Sequence, residues 1–285
     1  MTTTIVTMFF NIKKYSDASS EGRPIEFYLE HGRKTLELPY NMVVFCDSVS
    51  RPYLEDIRGD KPTVYVQKDL RDYEYYQQLY PIICKNRETI PTVDKRNVPS
   101  QFLVTFFKAI ALYLAKSGNF FPSTSHYFWV DMGASHVARE FLNIKIALDN
   151  PRPKITTCLI HYRGKNEVYP MTRFLNGHGP CGMGATIFSV ETSYIEKFYS
   201  GMMSIIYEQI SEGVGHNEEQ CMIYVYHKHP EWFTLYFGDY YSIVLNYHKT
   251  IGDVETVKAL VIDRALADNN YEVADMATKS LTWDK

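Results

Sequence analysis

Short runs of β-branched and aromatic residues recur along the chain, and each is bounded by polar or turn-forming residues. Such runs predict buried strands. The first, Thr4–Phe10, is followed by a mixed helical segment, Ile25–Leu38, and a second apolar run, Met42–Cys46. A strand, a helix and a strand in this order, with Asp47 at the exit, are typical of the opening of a doubly wound α/β sheet.

The same criteria predict the remaining elements. Further strands are predicted at Thr63–Gln67, Tyr127–Asp131, Ile155–Ile160, Ala185–Val190 and Ser242–Asn246. Helices are predicted between Pro99 and Gly118, from Ser135 to Leu148, from Thr192 to about Glu212, and from the segment 216–220 onward. The helix that begins at Pro99 is apolar on nearly every face, so we expect it to be buried together with Lys108.

From Asp253 onward the pattern changes to alanine-rich helical periodicity, with a turn expected at Asn269–Asn270. This pattern predicts a C-terminal helical hairpin packed on the main domain. We therefore divide the chain into a domain of residues 1–250 and a hairpin of residues 251–285. The hairpin offers a surface for an oligomer contact or a docking partner.

Composition excludes several classes of protein. The 285 residues carry 30 Lys and Arg against 33 Asp and Glu, interspersed along the chain, which argues against a broad nucleic-acid surface. Five scattered cysteines give neither a disulfide framework nor zinc-like spacing. We expect a reduced, cytoplasmic protein. No apolar run approaches the roughly 20 residues of a membrane span, so no transmembrane segment is expected.

Two acids follow predicted strands, where open α/β sheets bind their ligands. Asp47 precedes Ser48 and Ser50, so capping of a helix and contact with a ribose or base are equally supported for it. Asp131 ends the segment Tyr127–Asp131. There we favour function, because a carboxylate after a central strand can face a diphosphate through a cation.

Several stretches taken together resemble the HtrL/YibB family of bacterial proteins, which is associated with cell-surface polysaccharide loci. They are IVTMFF at Ile5, MVVFCD at Met42, FFKAIALYLAKSG at Phe106, YFWVDMGASHV at Tyr127, CGMGATIFS at Cys181 and EEQCMIYVYHKHPEWFTLYFGDYYSIVLNY at Glu218. The segment FWVDMG is similar to the strand-exit motif of GT-A glycosyltransferases. The resemblance implies a GT-A-like fold, with a mixed, mostly parallel sheet flanked by helices.

The same resemblance implies a metal site, and here the chain departs from the pattern. GT-A enzymes commonly bind Mn²⁺ or Mg²⁺ through an acid-x-acid motif, whereas Gly133 stands at its third position and no Asp-x-Asp occurs in the chain. Asp131 would then bind the metal singly, bind the ribose, or work without metal. His248 corresponds to the histidine that often completes such a site.

The implied reaction is transfer of a glycosyl group from a nucleotide sugar, with a UDP-sugar expected, to a hydroxyl of a glycan or glycoprotein. We expect Thr7 and Asp47 to contact the nucleoside, and Gly182 and Gly184 to lie against the donor sugar. Lys108 is predicted to bind the phosphates, since the leaving diphosphate needs a cation. Snorkelling of its ammonium past an apolar stem is an equal alternative for Lys108.

An inverting reaction also needs a carboxylate that deprotonates the acceptor. Glu219 is the first candidate and Glu218 the second, because Glu219-Gln220 resembles the acid-Gln pair of GT-A enzymes; acids that merely complement the helix dipole are the alternative. Asp239 is predicted to bind an acceptor hydroxyl. It lies in an aromatic segment, Trp232–Tyr241, for which we favour packing over a sugar platform.

Other functions fit less well. Gly177-x-Gly179-x-x-Gly182 formally matches a dinucleotide fingerprint, but it lies mid-chain and precedes a strand-like run. Cys181 with His178 lacks the third group of a thiol-based site. The alternatives that remain are a non-catalytic glycan- or nucleotide-binding protein on the same fold, and an assembly protein that docks through its C-terminal hairpin.

Overall fold

A seven-stranded sheet forms the centre of the molecule. The computed structural model describes residues 2–19, 23–89, 97–175, 182–214 and 217–281. The strands are β1 (Thr2–Phe9), β2 (Asn41–Cys46), β3 (Thr63–Gln67), β4 (Thr124–Val130), β5 (Ile155–Leu159), β6 (Met183–Glu191) and β7 (Phe233–Phe237). Their order is β3-β2-β1-β4-β6-β5-β7, and β6 alone runs antiparallel to its neighbours. The predicted mixed, mostly parallel sheet flanked by helices is confirmed.

Helices cover both faces of this sheet. Before the fourth strand they are α1 (Ile25–Leu36), α2 (Arg51–Arg58), α3 (Glu74–Thr89) and α4 (Pro99–Ser117). After it come α5 (Ile144–Asp149), α6 (Lys165–Val168), α7 (Met171–Leu175), α8 (Ile195–Ser211) and α9 (Glu218–Lys228). The C-terminal hairpin consists of α10 (Val254–Val257), a π turn (Lys258–Ile262), α11 (Asp263–Ala267) and α12 (Tyr271–Ser280).

The strands are buried because helices lie on both sides of them. Successive residues of β1 alternate between two apolar cores, so that Val6 and Met8 pack on one face and Ile5 and Phe9 on the other. This two-sided burial is what produces near-continuous apolar runs in parallel strands. Helix α4 lies in one of these cores, as its uninterrupted apolar pattern predicts.

The segment Ser242–Asn246, predicted as the last strand, is a series of turns. The last strand is Phe233–Phe237, inside the aromatic segment for which we favoured packing. The Asn246 amide holds the turn, because it donates to the carbonyls of Phe237 and Gly252. Local apolar content does not separate such a buried turn from a strand.

Two further differences concern helices. The segment predicted as one helix from Ser135 to Leu148 is broken into two 3₁₀ turns, Ala134–His136 and Phe141–Asn143, followed by the short α5. Within the C-terminal hairpin, Val261 and Ala277 pack into the same core as β6. The proposed boundary near residue 250 stays a prediction. No helix in the described ranges is long and apolar enough to cross a membrane.

Candidate functional site

The candidate site lies at the edge of the sheet where the parallel strands end. Asp131 directly follows β4, and its backbone N–H donates to the carbonyl of Thr186, at 2.9 Å, in β6. Because β6 runs antiparallel, its first residues lie at this same edge. Helix α9 begins beside them, which brings Glu218 and Glu219 to the strand exit. The sequence predicts this meeting of Asp131 with the acidic pair only through the family resemblance.

Lys108 is the centre of the site. From the buried helix α4 its ammonium lies 2.8 Å from Asp131 Oδ1 and 2.5 Å from Glu218 Oε1. It also donates to the carbonyl oxygen of Ala185 at 3.0 Å. Oxygens of three protein groups, two carboxylates and one carbonyl, therefore surround this ammonium. A phosphate oxygen would have to displace one of these protein oxygens from Lys108. The predicted contact of Lys108 with the donor phosphates did not include these partners.

Burial and charge act in opposite directions on this triad of Asp131, Lys108 and Glu218. Burial alone would lower the pKa of Lys108, but the two carboxylates outweigh it and hold that pKa above its ordinary value. For Asp131, burial and the Glu218 charge raise the pKa, against the opposing effects of Lys108 and of the Trp129 indole. The Trp129 N–H donates to Asp131 Oδ1 at 2.6 Å. The Asp131 side chain is 31 % exposed, so it is the member of the triad open to a ligand.

Glu219 has a different environment from its neighbour. The Tyr240 hydroxyl lies 2.8 Å from Glu219 Oε1 and 2.7 Å from Oε2. The Ala185 N–H points to Oε1 at 3.4 Å, which is a long contact. Glu219 is partly exposed, whereas Glu218 is 5 % exposed and belongs to the triad. The order of the two candidates for an acid or base, Glu219 before Glu218, is consistent with this difference in access.

Gly182 and Gly184 are buried and serve close packing. A Cβ at Gly182 would lie 2.5 Å from Ile223 Cδ1, and one at Gly184 would lie 2.9 Å from Ile243 Cδ1. The space in front of each glycine is thus filled by an isoleucine rather than open to a sugar. Gly182 lets α9 approach the start of β6, which places the acidic pair beside Asp131, whereas Gly184 makes room for the turn after β7. Cys181 and His178 lie outside the described residues.

Two residues predicted to contact the nucleoside are buried. Thr7 lies within β1, is 0 % exposed, and its hydroxyl makes no hydrogen bond in the described structure. Its burial beneath the helical layer contradicts the predicted contact. Asp47 is 1 % exposed. Its carboxylate accepts from the backbone N–H groups of Ser50, at 2.8 Å, and Asn11, at 2.9 Å, which is the capping role left open by the sequence.

The hydrogen bonds of Asp47 also set its charge state. Burial would raise the pKa of this carboxyl, but the N–H groups of Asn11 and Ser50, together with the Lys14 ammonium, hold it below its ordinary value. Asp47 is therefore an ionised anchor that ties the exit of β1 to the start of α2. Its bonds leave no face for a ribose.

The two predicted metal ligands are far apart in the fold. His248 packs against the ring of Tyr247 and hydrogen bonds to the backbone of Ile146 in α5. That helix lies at the beginning of β1, where the Thr3 hydroxyl donates to the Leu148 carbonyl. Asp131 lies at the opposite edge, after the end of a strand parallel to β1. The structure does not bring Asp131 and His248 together, so the predicted role of His248 as a metal ligand is contradicted and His248 is not part of the candidate site.

The described residues do not fit a resident divalent metal. Both oxygens of Asp131 are within 3.0 Å of the Lys108 ammonium, which fills the position that a chelated cation would take. Among the described parts of the chain, no three His, Cys, Asp or Glu side chains converge as metal ligands. Asp239, the predicted acceptor contact, accepts from the Ser242 N–H and hydroxyl and closes a turn next to Tyr240.

A cavity at the same edge of the sheet was not predicted from the sequence. A cavity of about 370 Å³ lies between the exit of β1 and helix α3. It is lined by Tyr15, Ser16, Arg71, Tyr76, Gln77, Tyr80 and Pro81. The rings of Tyr76 and Tyr80 stack 5.1 Å apart, and the Tyr15 hydroxyl donates to Asp69 at 2.9 Å. Tyr15 and Arg71 follow the ends of β1 and β3, and this position after two strands is the sequence feature that could have predicted the cavity.

Comparison with known proteins gives the family. The family model described as a bacterial protein of unknown function, HtrL_YibB, matches residues 1–248. This chain belongs to the HtrL/YibB family. A curated relative, protein HtrL of Escherichia coli (strain K12), is 21 % identical over 253 residues, which cover 82 % of this chain and 87 % of the relative. The resemblance stated from the sequence is confirmed, and the family itself assigns no activity.

Solved structures similar to this HtrL/YibB protein are distant. Apo mouse xyloside xylosyltransferase 1 has 10 % identity and a TM-score of 0.45, over 82 % of this chain and 85 % of that one. Rv0371c from Mycobacterium tuberculosis H37Rv has 9 % identity and a TM-score of 0.36, over 70 % and 76 %. A manganese complex of Rv0371c has a TM-score of 0.35 at 9 % identity, over 73 % and 83 %. With such low identities and TM-scores, these structures support no conclusion about the substrate or a metal of this protein.

Proposed function

We propose that this HtrL/YibB protein is a glycosyltransferase that moves a sugar from a nucleotide diphosphate donor, with a UDP-sugar expected, to a hydroxyl of a glycan or glycoprotein. The observation that carries the proposal is the pair of carboxylates at the strand exit. Asp131 and Glu219 are both accessible, and each is held by a specific donor. Burial raises the pKa of Asp131, and a carboxylate with a raised pKa at this edge of an α/β sheet is typical of catalytic sites.

In this proposal Glu219 is the base. It takes the proton of the acceptor hydroxyl, whose oxygen then attacks the anomeric carbon while the bond from that carbon to the diphosphate oxygen breaks. The electron pair of that bond leaves with the nucleoside diphosphate. Tyr240 orients the Glu219 carboxylate throughout.

The nucleoside is proposed to occupy the aromatic cavity rather than the surroundings of Thr7 and Asp47. Tyr76 in the cavity wall bonds to Ser100 in the first turn of α4, and Lys108 lies eight residues further along that helix. At 1.5 Å per residue the two positions are about 12 Å apart along the helix axis. Stacked tyrosine rings with nearby polar groups suit a planar base.

The experiment combines calorimetry with an assay of sugar transfer and hydrolysis over a panel of nucleotide sugars. Wild-type protein is expected to bind UDP and to hydrolyse or transfer at least one donor. Glu219→Gln is expected to abolish turnover and keep UDP binding, whereas Tyr80→Ala is expected to weaken UDP binding. Glu255→Gln, at an exposed helix position, is the matched control.

The outcomes separate the competing functions. Binding of UDP without turnover of any donor supports a non-catalytic nucleotide-binding protein. Binding of glycans without affinity for UDP supports the lectin-like alternative, and both results count against a transferase. Full turnover by Glu219→Gln removes Glu219 from the mechanism.

A further inference from the structure

The ammonium of Lys108 is enclosed by oxygen atoms from three separate elements. Asp131 after β4 offers two oxygens at 2.8 Å and 3.0 Å, Glu218 at the start of α9 offers one at 2.5 Å, and the Ala185 carbonyl of β6 offers one at 3.0 Å. Two carboxylates and a backbone carbonyl are the donor set that hard divalent cations prefer. Here a covalently attached cation fills that set.

The position of the ammonium excludes a second cation. A metal chelated by both Asp131 oxygens would occupy the place of the Lys108 nitrogen, which already lies near each of them. The other oxygen of Glu218 is buried, makes no hydrogen bond in the described structure, and is out of reach of solvent. The Lys108 ammonium would repel any cation bound this close to it, and its repulsion of a divalent ion is twice its repulsion of a monovalent one.

The Trp129 ring adds to the enclosure. Its centroid lies 5.6 Å from the Lys108 ammonium, within the range of a cation–π contact, while its N–H holds Asp131. The ammonium is therefore fixed by its acid partners, a carbonyl and an aromatic face, and Lys108 is 5 % exposed. A side chain with all its donors engaged in a buried site does not exchange readily for a hydrated ion.

We propose that Lys108 is a built-in cation that takes the place of a resident Mn²⁺ or Mg²⁺ between Asp131 and Glu218, so that this protein binds its nucleotide donor without a divalent ion. The first half stands on the geometry alone. The second half rests on the proposed function, because it concerns the donor.

The first test is direct titration of Mn²⁺ by electron paramagnetic resonance, without nucleotide. Wild-type protein is expected to leave the signal of free Mn²⁺ unchanged at equimolar concentration. Lys108→Ala is expected to bind Mn²⁺, because two carboxylates and a carbonyl then face an empty space. Combining it with Asp131→Asn should remove that binding, and Lys116→Ala, at a half-buried lysine of the same helix that pairs with Glu196, should behave as wild type.

Stoichiometric Mn²⁺ binding by the wild type that Asp131→Asn abolishes would overturn the proposal. A folded Lys108→Ala protein that does not bind Mn²⁺ also contradicts it, since the ammonium would then not be what excludes the ion. The wild-type titration decides the question alone if Lys108→Ala does not fold.

The second test is calorimetric titration of the wild type with UDP in EDTA and in Mn²⁺. Equal affinities under the two conditions support the donor half of the proposal, and affinity about tenfold or more higher in Mn²⁺ overturns it. Absence of UDP binding under both conditions overturns that half and the proposed function together. The first test still decides whether the site is closed to metal.

Discussion

Tyr240 donates its hydroxyl to the Glu219 carboxylate, with oxygen–oxygen distances of 2.8 Å and 2.7 Å. The two residues are 21 positions apart, one in a turn after β7 and the other in the first turn of α9. Hydrogen bonds to charged groups contribute about 1.5–3 kcal/mol. We expect Tyr240→Phe to lower kcat of sugar transfer about 10- to 100-fold with little change in UDP affinity.

The control for Tyr240→Phe is Tyr241→Phe, at the adjacent tyrosine, which is 52 % exposed and packs on Arg139. It should retain wild-type kcat. Equal kcat values for the two variants would show that the hydroxyl of Tyr240 does not orient the base.

The charge triad predicts a strong coupling between Lys108 and Glu218. Removing one partner of a buried ion pair costs about 3–5 kcal/mol, because the other charge stays buried without compensation. Lys108→Met leaves Asp131 and Glu218 facing each other, so we expect a loss of that size. Glu218→Gln leaves a neutral pair and should cost less. Urea unfolding measures both free energies.

The double variant Lys108→Met/Glu218→Gln completes the cycle. Its loss of unfolding free energy is expected to be smaller than the sum of the losses in the two single variants. The reason is that Glu218→Gln removes the repulsion between Asp131 and Glu218 that Lys108→Met creates. Strict additivity would mean that the two groups do not interact, against the 2.5 Å contact between them.

Gly182→Ala tests the close approach of α9 to β6. The new Cβ would meet Ile223 Cδ1 at 2.5 Å and the His161 carbonyl oxygen at 3.3 Å. Overpacking of this kind costs about 1–3 kcal/mol of unfolding free energy. Ile223→Val removes the Cδ1 methyl and should recover part of the loss. Gly252→Ala, where the nearest atom is 3.4 Å away, is the control. A neutral Gly182→Ala would contradict the packing role.

Acid is expected to destabilise the protein through His161. Burial first, and then the charges of Arg163 and Arg264, lower the pKa of His161 from 6.5 to about 4. The unfolded chain therefore binds a proton more tightly than the folded one. The contribution of His161 to the free energy of unfolding is therefore fully present above its unfolded pKa of 6.5. It is lost as the pH falls toward the folded pKa of about 4.

The measurement is the urea midpoint at about pH 7 and about pH 5. His161→Gln cannot titrate, so its midpoint should fall less between the two conditions than that of the wild type. His229→Gln, at an exposed ring stacked on Trp232, should fall as the wild type does. An unchanged pH dependence in His161→Gln would assign the acid sensitivity to other groups.

The sequence by itself determined the local features of this protein. Apolar runs predict strands such as β1 and β4, and proline and glycine mark the ends of α4, because these signals depend on neighbouring residues alone. The acid after β4 was identified for the same reason, and the chain-wide resemblance identified the family. The final strand was missed, since β7 and the turn after it have similar apolar content.

Only the tertiary structure decided which side chains meet. Lys108 lies 23 positions before Asp131 in the chain and is separated from Glu218 by three strands and four helices, yet one ammonium joins both acids. Thr7 and Gly182 differ from expectation because their access to ligands is set by helices from elsewhere in the chain. Strand order and helix packing fix such contacts, and both are properties of the whole fold rather than of any local segment.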